Sequence, residues 1–341
     1  MDAPQKPHHW WKRLRLSVRT LMILVLIIGG VLGSIVHQAH IQRDAVSAIL
    51  KAGGNVNYDG VWGPLAPHSL KQKKRWPSWL VDTVGRDYFE NVVTVDLKNA
   101  KEASADDALM AHIGRLERIV YLTLNDCTSV TDAGLSDLSR LTNLESLRIG
   151  SPQITDIGLA HLKKLVNLEE LSIRSPRITS SGLHALRDMQ YLRSLYLEES
   201  SVTDIAPISH LSELTDLGLA SSKIEDAGLR NLRDLRSLRS LYLGGTGITD
   251  AGLAHIAGLT ELESLDLINT PVSDAGLAHL CDLKKLESLG LAHTRITDFG
   301  LAQLECLPKC EGIAIGGTRV TDAGVMQAQK KRPDTVFSRG D

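Results

Sequence analysis

The sequence predicts an α/β fold: a right-handed solenoid with a parallel sheet on its concave side and helices on its convex side, set behind one N-terminal transmembrane helix. Three observations carry that prediction. Leu235 to Asp282 holds two consecutive 24-residue units, LRSLRSLYLGGTGITDAGLAHIAG and LTELESLDLINTPVSDAGLAHLCD, which agree at nearly every apolar position. Units of this form begin at Leu116, Leu141, Leu165, Met189, Leu211, Leu235, Leu259, Leu283 and Leu307, spaced 25, 24, 24, 22, 24, 24, 24 and 24 residues apart. Such units bury their apolar side only against their neighbours, so chain length puts no limit on the core. Finally, Leu21 to Val36 runs LMILVLIIGGVLGSIV without a charge.

Composition narrows the function classes. Lysine plus arginine (38) nearly balance aspartate plus glutamate (40), for a net charge of −2, so no global basic field attracts a nucleic acid. The four cysteines form no CxxC pair and no histidine stands at zinc-site spacing. Neither a disulfide framework nor a structural metal is indicated, and no cofactor is implied.

Residues 1–19 form a short basic segment, with Lys6, Lys12, Arg13, Arg15 and Arg19 against Asp2, and residues 20–36 read as a signal-anchor. Sixteen apolar residues rise about 24 Å, short of the ~30 Å hydrocarbon core, so Ser17 to Thr20 complete the span if Arg19 snorkels. Trp10 and Trp11 suit an interfacial belt, and the flanking charge places the N-terminus in the cytoplasm and the remainder outside. A cleaved signal peptide shares the charged start and apolar run. His37-Gln38-Ala39 is a poor cleavage site and Val31-Leu32-Gly33 only a fair one, so an uncleaved anchor is expected. Gly29 and Gly33, with Gly30 and Ser34, offer small-xxx-small spacing for a homodimer, although glycine is common in membrane helices anyway.

Residues 37–115 read as linker and N-terminal cap. Ile41 to Ala52 sets Ile41, Ala45, Ala48 and Ile49 on one helical face before Gly53-Gly54, and Val56 to Tyr58 suits a short strand. Lys71, Lys73, Lys74 and Arg75, flanked by Trp62, Trp76 and Trp79, form either a solvated loop or an anionic-lipid contact. A helix from Pro77-Ser78 leads into Val92 to Leu97, the first strand of repeat character.

Residues 116–325 hold nine units of the form L-x-x-L-x-x-L-x-L followed by I/V-T-D-A-G-L-x-x-L. With this pattern the chain resembles leucine-rich-repeat proteins of the subtype with a helix in each repeat, similar to the repeat domains of ribonuclease inhibitor and of F-box ubiquitin-ligase receptors. The residues support the resemblance independently. In Leu241-Tyr242-Leu243 the period of two turns the leucines inward and leaves the residue between them on the concave sheet. Thr-Asp-Ala-Gly-Leu suits the start of a convex helix. Where the family places asparagine after the strand, this chain has Cys127, Pro152, Pro176, Ser200, Ser222, Thr246, Thr270, Thr294 and Thr318, so a hydroxyl ladder is expected instead. The fourth repeat, VTDIAPISHLSEL, is two residues shorter with Pro207 in its helix position; it resembles an internalin-like unit and is expected to flatten the curvature. Residues 326–341 read as a C-terminal cap: Gln327, Gln329, Lys330, Lys331 and Arg332 are polar, Pro333 stops the helix, and Thr335 to Ser338 closes the sheet. With the chain ending at Asp341, no effector domain is expected after it.

Candidate chemistry is sparse. Asp132, Asp156, Asp204, Asp226, Asp250, Asp274, Asp298 and Asp322 form a column that suggests helix capping over a calcium ladder, because Ser180 in the third repeat caps but binds calcium poorly. His112, His161, His255 and His279 share one position; surface histidines are expected over a metal site. No nucleophile elbow, HExxH or P-loop occurs, so no catalytic residue and no enzyme is expected. Cys281 and Cys306 lie on nearly equivalent positions of neighbouring repeats and are expected as free thiols, since equivalence alone does not establish bonding geometry.

The resemblance implies binding on the concave strands. Small residues such as Gly218, Ala220, Gly244, Gly290 and Ala292 dominate the C-terminal half, which points to Tyr121, Arg148, Arg174, Tyr196, Glu198 and Tyr242 as the partner-binding set, against an ordinary solvated sheet face. The expected function is a membrane-anchored protein that presents a concave surface to a protein or cell-surface polymer. A ubiquitin-ligase substrate receptor is the alternative, disfavoured because no F-box-like segment precedes the array. A wall-polymer hydrolase lacks any supporting constellation.

Overall fold

The computed structural model describes residues 18–59, 77–98, 105–125 and 127–339. The basic N-terminal segment with Trp10 and Trp11, and the Lys71 to Arg75 cluster with Trp62 and Trp76, lie outside the described residues. Twelve strands form one sheet in strict chain order: β1 (Asn55–Tyr58), β2 (Val92–Asp96), β3 (Tyr121–Leu124), β4 (Ser146–Gly150), β5 (Glu170–Arg174), β6 (Ser194–Tyr196), β7 (Asp216–Gly218), β8 (Ser240–Tyr242), β9 (Ser264–Asp266), β10 (Ser288–Gly290), β11 (Gly312–Ala314) and β12 (Val336–Ser338). All neighbours pair in parallel except β1 and β2, which run antiparallel at the N-terminal edge. Each repeat returns the chain one strand spacing, about 4.8 Å, along the axis. In-register pairing then stacks Leu147, Leu171, Leu195, Leu217, Leu241, Leu265 and Leu289 into one buried column.

The helix α1 (Val18–Lys51) is continuous, so the membrane candidate and the expected 41–52 helix are one element. No glycine or proline interrupts it after Gly33, and Gly53, at φ 90°, ends it. From Arg19 to Gln38 its side chains are exposed, and this apolar stretch is long enough to cross a membrane. From Ala39 onward it docks on the cap through Ala39, Gln42, Ala45, Ile49 and Ala52, while Ile41 and Ala48 of the expected face are only half-buried. Gln42 occupies the centre of that face because its amide is fully used: Nε2 donates to the Glu90 carbonyl at 2.8 Å, and Oε1 accepts from the Val92 N–H at 3.1 Å. α2 (Ser78–Val84) and α3 (Asp107–Ile113) complete the packing at this end.

The convex side carries α4 (Asp132–Leu138), α5 (Asp156–His161), α6 (Asp250–Ile256), α7 (Asp274–Leu277), α8 (Asp298–Gln303) and α9 (Asp322–Lys331). The expectation that only the fourth repeat departs is corrected. Three consecutive repeats tighten into 3-10 turns, at Gly182–Leu186, Ala206–Ile208 and Asp226–Asp234.

The aspartate column also has a different job from the one expected. Thr131, Thr155, Thr249, Thr297 and Thr321 are the N-caps, each accepting from an amide of its own helix. Most of the aspartates instead reach the next repeat. Asp274 accepts from the Thr297 N–H at 2.8 Å and the Thr297 hydroxyl at 2.6 Å, and Asp107, Asp132, Asp156, Asp226, Asp250 and Asp298 repeat the pattern. The conserved spacing of T-D-x-G within the chain thus encodes a staple: threonine caps one helix and donates to the preceding aspartate, whose carboxylate occupies the space that a glycine Cβ would fill. At the centre Ser180 replaces aspartate and still reaches the next repeat, its hydroxyl accepting from the Thr203 N–H at 3.0 Å and the Asp204 N–H at 2.9 Å; the staple lapses one repeat on, where Glu225 replaces threonine and Asp204 accepts from the Ala206 N–H of its own repeat. Asp322 pairs instead with Arg339 at 2.7 Å.

The expected hydroxyl ladder is corrected too. Thr246, Thr270, Thr294 and Thr318 donate to the carbonyl three residues back, closing their own turns. At the N-terminal end the buried hydroxyls are Ser151 and Ser175, one residue ahead of Pro152 and Pro176, and these do cross to the preceding repeat at Val130 and Ile154. Between C-terminal repeats the backbone supplies the ladder: Ser221, Asn269 and His293 adopt positive φ, and their amides donate to the next repeat.

Cys281 and Cys306 are disulfide-bonded, contrary to the expectation of free thiols. Equivalent positions on adjacent coils place their Cα atoms 5.3 Å apart, inside the bridging range of about 4.4–6.8 Å.

Candidate binding surface

Period-two alternation and in-register pairing arrange the concave side chains in rows across the sheet. One row runs Tyr121, Ser146, Glu170, Ser194, Asp216 and Ser240; the next runs Thr123, Arg148, Ser172, Tyr196, Gly218, Tyr242, Asp266 and Gly290. Every residue of the sequence-derived set lies on this side of the sheet, but they do not form one cluster.

Tyr121 stands at the N-terminal end, its hydroxyl donating to Glu145 at 2.8 Å. Burial, then that carboxylate, pushes its hydroxyl pKa well above the ordinary tyrosine value. Arg148 grips Glu170 through Nε at 2.6 Å and Nη2 at 2.5 Å, and Glu170 also accepts from Ser146. Arg174 pairs with Glu198 at 3.2 Å and lies 3.8 Å from Glu199. Both arginines are therefore held by a neighbouring strand's acid, which fixes their guanidinium planes but adds little stability at exposed positions.

Tyr196 and Tyr242 meet although a strand lies between them. Their ring centroids are 6.2 Å apart with the planes tilted by 40°. Gly218 makes this contact workable: a Cβ there would sit 2.5 Å from Tyr196 Cδ1. The ring lies over bare β7 backbone. The Tyr196 hydroxyl is pushed up to about 12, by burial first and then by Asp216, Tyr242 and Glu170, with Arg148 opposing.

Sequence reasoning missed Asp216 and Asp266, which flank this pair, and left Glu170 out of the set. Their rows were readable from the period of two; their proximity to the tyrosines depends on register across repeats of unequal length. Among the described residues no group of histidine, cysteine and acid side chains is disposed to hold a metal.

A family model described as leucine-rich repeat matches residues 234–257, which is one unit of the array. Comparison with curated proteins finds no match. Among solved structures, an internalin from Listeria monocytogenes aligns at 24% identity and a TM-score of 0.40, over 67% of this chain and 83% of that one. A leucine-rich-repeat protein of Leptospira interrogans aligns at 13% identity and 0.43, over 67% and 74%. A TDR receptor aligns at 15% identity and 0.47, over 67% of this chain and 40% of the receptor chain. The matched unit recurs in register along the parallel sheet with the same buried leucines, and the chain folds as a leucine-rich-repeat solenoid.

Proposed function

We propose that this protein is a membrane-anchored binding protein that presents its concave sheet to a protein partner outside the cytoplasm. The observation that carries the reading is the concave surface itself. Aromatic and ordered charged side chains stand in register from β3 to β8, while on β10 and β11 the same rows carry only serine, glycine and alanine. Binding energy concentrates on aromatic and arginine side chains of this kind.

The exposed half of α1 supports anchoring over residues 20–36, with the basic flank retained on the cytoplasmic side. The Cys281–Cys306 disulfide suits an oxidising compartment and so supports export of the solenoid. Because α1 is continuous from Val18 to Lys51, the solenoid stands directly on the membrane helix. Gly29 and Gly33 meet nothing within 4 Å, which leaves that face open for a second copy.

Capture of a partner by the full chain in detergent, compared with an Arg148→Ala, Tyr196→Ala, Tyr242→Ala variant of equal thermal stability, tests the concave reading. Loss of capture is expected; undiminished capture removes it. Protease added outside sealed cells is expected to digest the solenoid, and full shielding would reverse the orientation and favour the substrate-receptor alternative.

A further inference from the structure

The concave charges do not balance evenly. Arg148 neutralises Glu170, and Arg174 neutralises Glu198. Asp216 accepts only from neutral hydroxyls, Ser194 at 3.1 Å and Thr215 at 2.8 Å, and Asp266 accepts from the Ile268 N–H at 2.8 Å. Neither has an ion-pair partner among the described residues. Arg193 and Arg239 border the rim hollow beside Asp216, and Arg239 is itself taken by Glu263 at 3.1 Å. The unneutralised carboxylates of the inner rows therefore flank the Tyr196–Tyr242 pair, the one aromatic pair on the sheet among the described residues. Asp216 lies on β7 two residues before Gly218, in the row next to the rings, and Asp266 lies directly beside Tyr242 on β9.

The rings form two walls of a wedge. Their centroids are 6.2 Å apart at a tilt of 40°, floored by Gly218. On the open side Gly290 leaves room for Asp266, since a Cβ there would lie 2.7 Å from Asp266 Oδ1. An aromatic face carries a negative quadrupole and attracts a cation placed within about 6 Å of the ring centre. Both carboxylates add to that field; burial first, and then Asp216, pushes the Tyr196 hydroxyl up to about 12. A neutral ligand would gain from the rings alone and would leave the two charges unpaired.

We propose that Tyr196, Tyr242, Asp216 and Asp266 form a wedge that accepts a lysine or arginine side chain from the partner protein. This rests on the reading of the concave sheet as the binding surface, and it specifies the chemistry of the residue that anchors there.

The test uses the full chain in neutral detergent micelles and a fluorescent hexalysine peptide as probe, with hexaglutamate as the control. Wild type binds hexalysine and not hexaglutamate, with affinity falling as salt rises. Tyr196→Leu with Tyr242→Leu keeps the apolar area but removes the quadrupole, and is expected to weaken binding by about tenfold or more. The corresponding phenylalanine pair restores binding to within about twofold. Asp216→Asn with Asp266→Asn weakens binding and flattens its salt dependence. Circular dichroism melts check that each variant is folded. Equal binding by the leucine pair overturns the proposal. So does binding that appears only after Lys71, Lys73, Lys74 and Arg75 are changed to glutamine, because this chain's own basic segment would then be the occupant. If partner capture still depends on Arg148 and Tyr121 while hexalysine ignores the tyrosines, the wedge assignment alone fails. If neither dependence is seen, the concave reading falls with it.

Discussion

Gly300→Ala separates the stapled solenoid from an ordinary helical array by the sign of its effect. In an exposed helix, alanine is favoured over glycine by about 1 kcal/mol. At Gly300 a Cβ would fall on Asp274 Oδ1 and lie 2.9 Å from its Cγ and 3.1 Å from Leu277 Cδ1. The carboxylate must swing away, and both of its bonds to Thr297, at 2.8 Å and 2.6 Å, are lost. Hydrogen bonds to a charged group contribute about 1.5–3 kcal/mol each; Asp274 is half-buried, so the lower end applies and the pair amounts to about 3 kcal/mol. Set against the helix-propensity gain, the net loss is about 2 kcal/mol. Gly258, with nothing within 4 Å of its Cβ position, is the control: alanine there is expected to be neutral or stabilising by up to about 1 kcal/mol. Repeat arrays need not unfold in one step, so urea denaturation is read together with hydrogen exchange at the Thr297 amide. In an Asp274→Ala background the added methyl should cost little, since the group it displaces is already gone. If Gly300→Ala matches wild type with the Thr297 amide still protected, the staple does not bear on stability.

Alkylation is expected to label no thiol rapidly in the native protein, two after denaturation and four after reduction, because Cys127 and Cys310 are buried and the others are paired. Burial also pushes the Cys310 thiol up to about 11, and mass spectrometry showing four alkylated thiols without reductant would contradict the disulfide. The Thr321 hydroxyl and then its amide hold Asp298 below the ordinary carboxylate pKa, with Arg339 contributing. Its folded value is depressed, so its contribution is complete above the unfolded value of about 3.9 and disappears as pH falls through the folded one. Carboxyl-detected NMR should show this late titration, and Thr321→Val should move it back toward the ordinary range; an unmoved midpoint would refute the cause assigned. Gln42→Leu leaves the Glu90 carbonyl and the Val92 N–H without their partner, at a cost of about 1–3 kcal/mol. Limited proteolysis should then cut between α1 and β2 faster than in wild type, and identical digestion would show that α1 docks without this bond.

Much of the fold was legible because a period of two inside a period of 24 leaves little freedom: leucines at those positions must face a common core. The same alternation identified the concave rows and most of their notable side chains. The convex side was harder to read. Thr-Asp at a helix start has donors of its own to satisfy, so local reasoning assigned the aspartate to its own helix. The next repeat's Thr297, 23 residues away, is a better partner for Asp274 because it offers an N–H and an O–H together.

What the sequence determines by itself is whatever repeats within one unit, the strand and the core leucines, together with the charge-free run of α1. What only the tertiary structure decides is which residue of one unit meets which residue of the next. Tyr196 reaches Tyr242 across Gly218, Arg148 reaches Glu170, and Cys281 reaches Cys306 because register and coil spacing bring them together. These contacts act over a few ångströms, while their partners lie 22 to 46 residues apart in the chain, and the 22-residue spacing of the fourth repeat shifts the numbering without shifting the register.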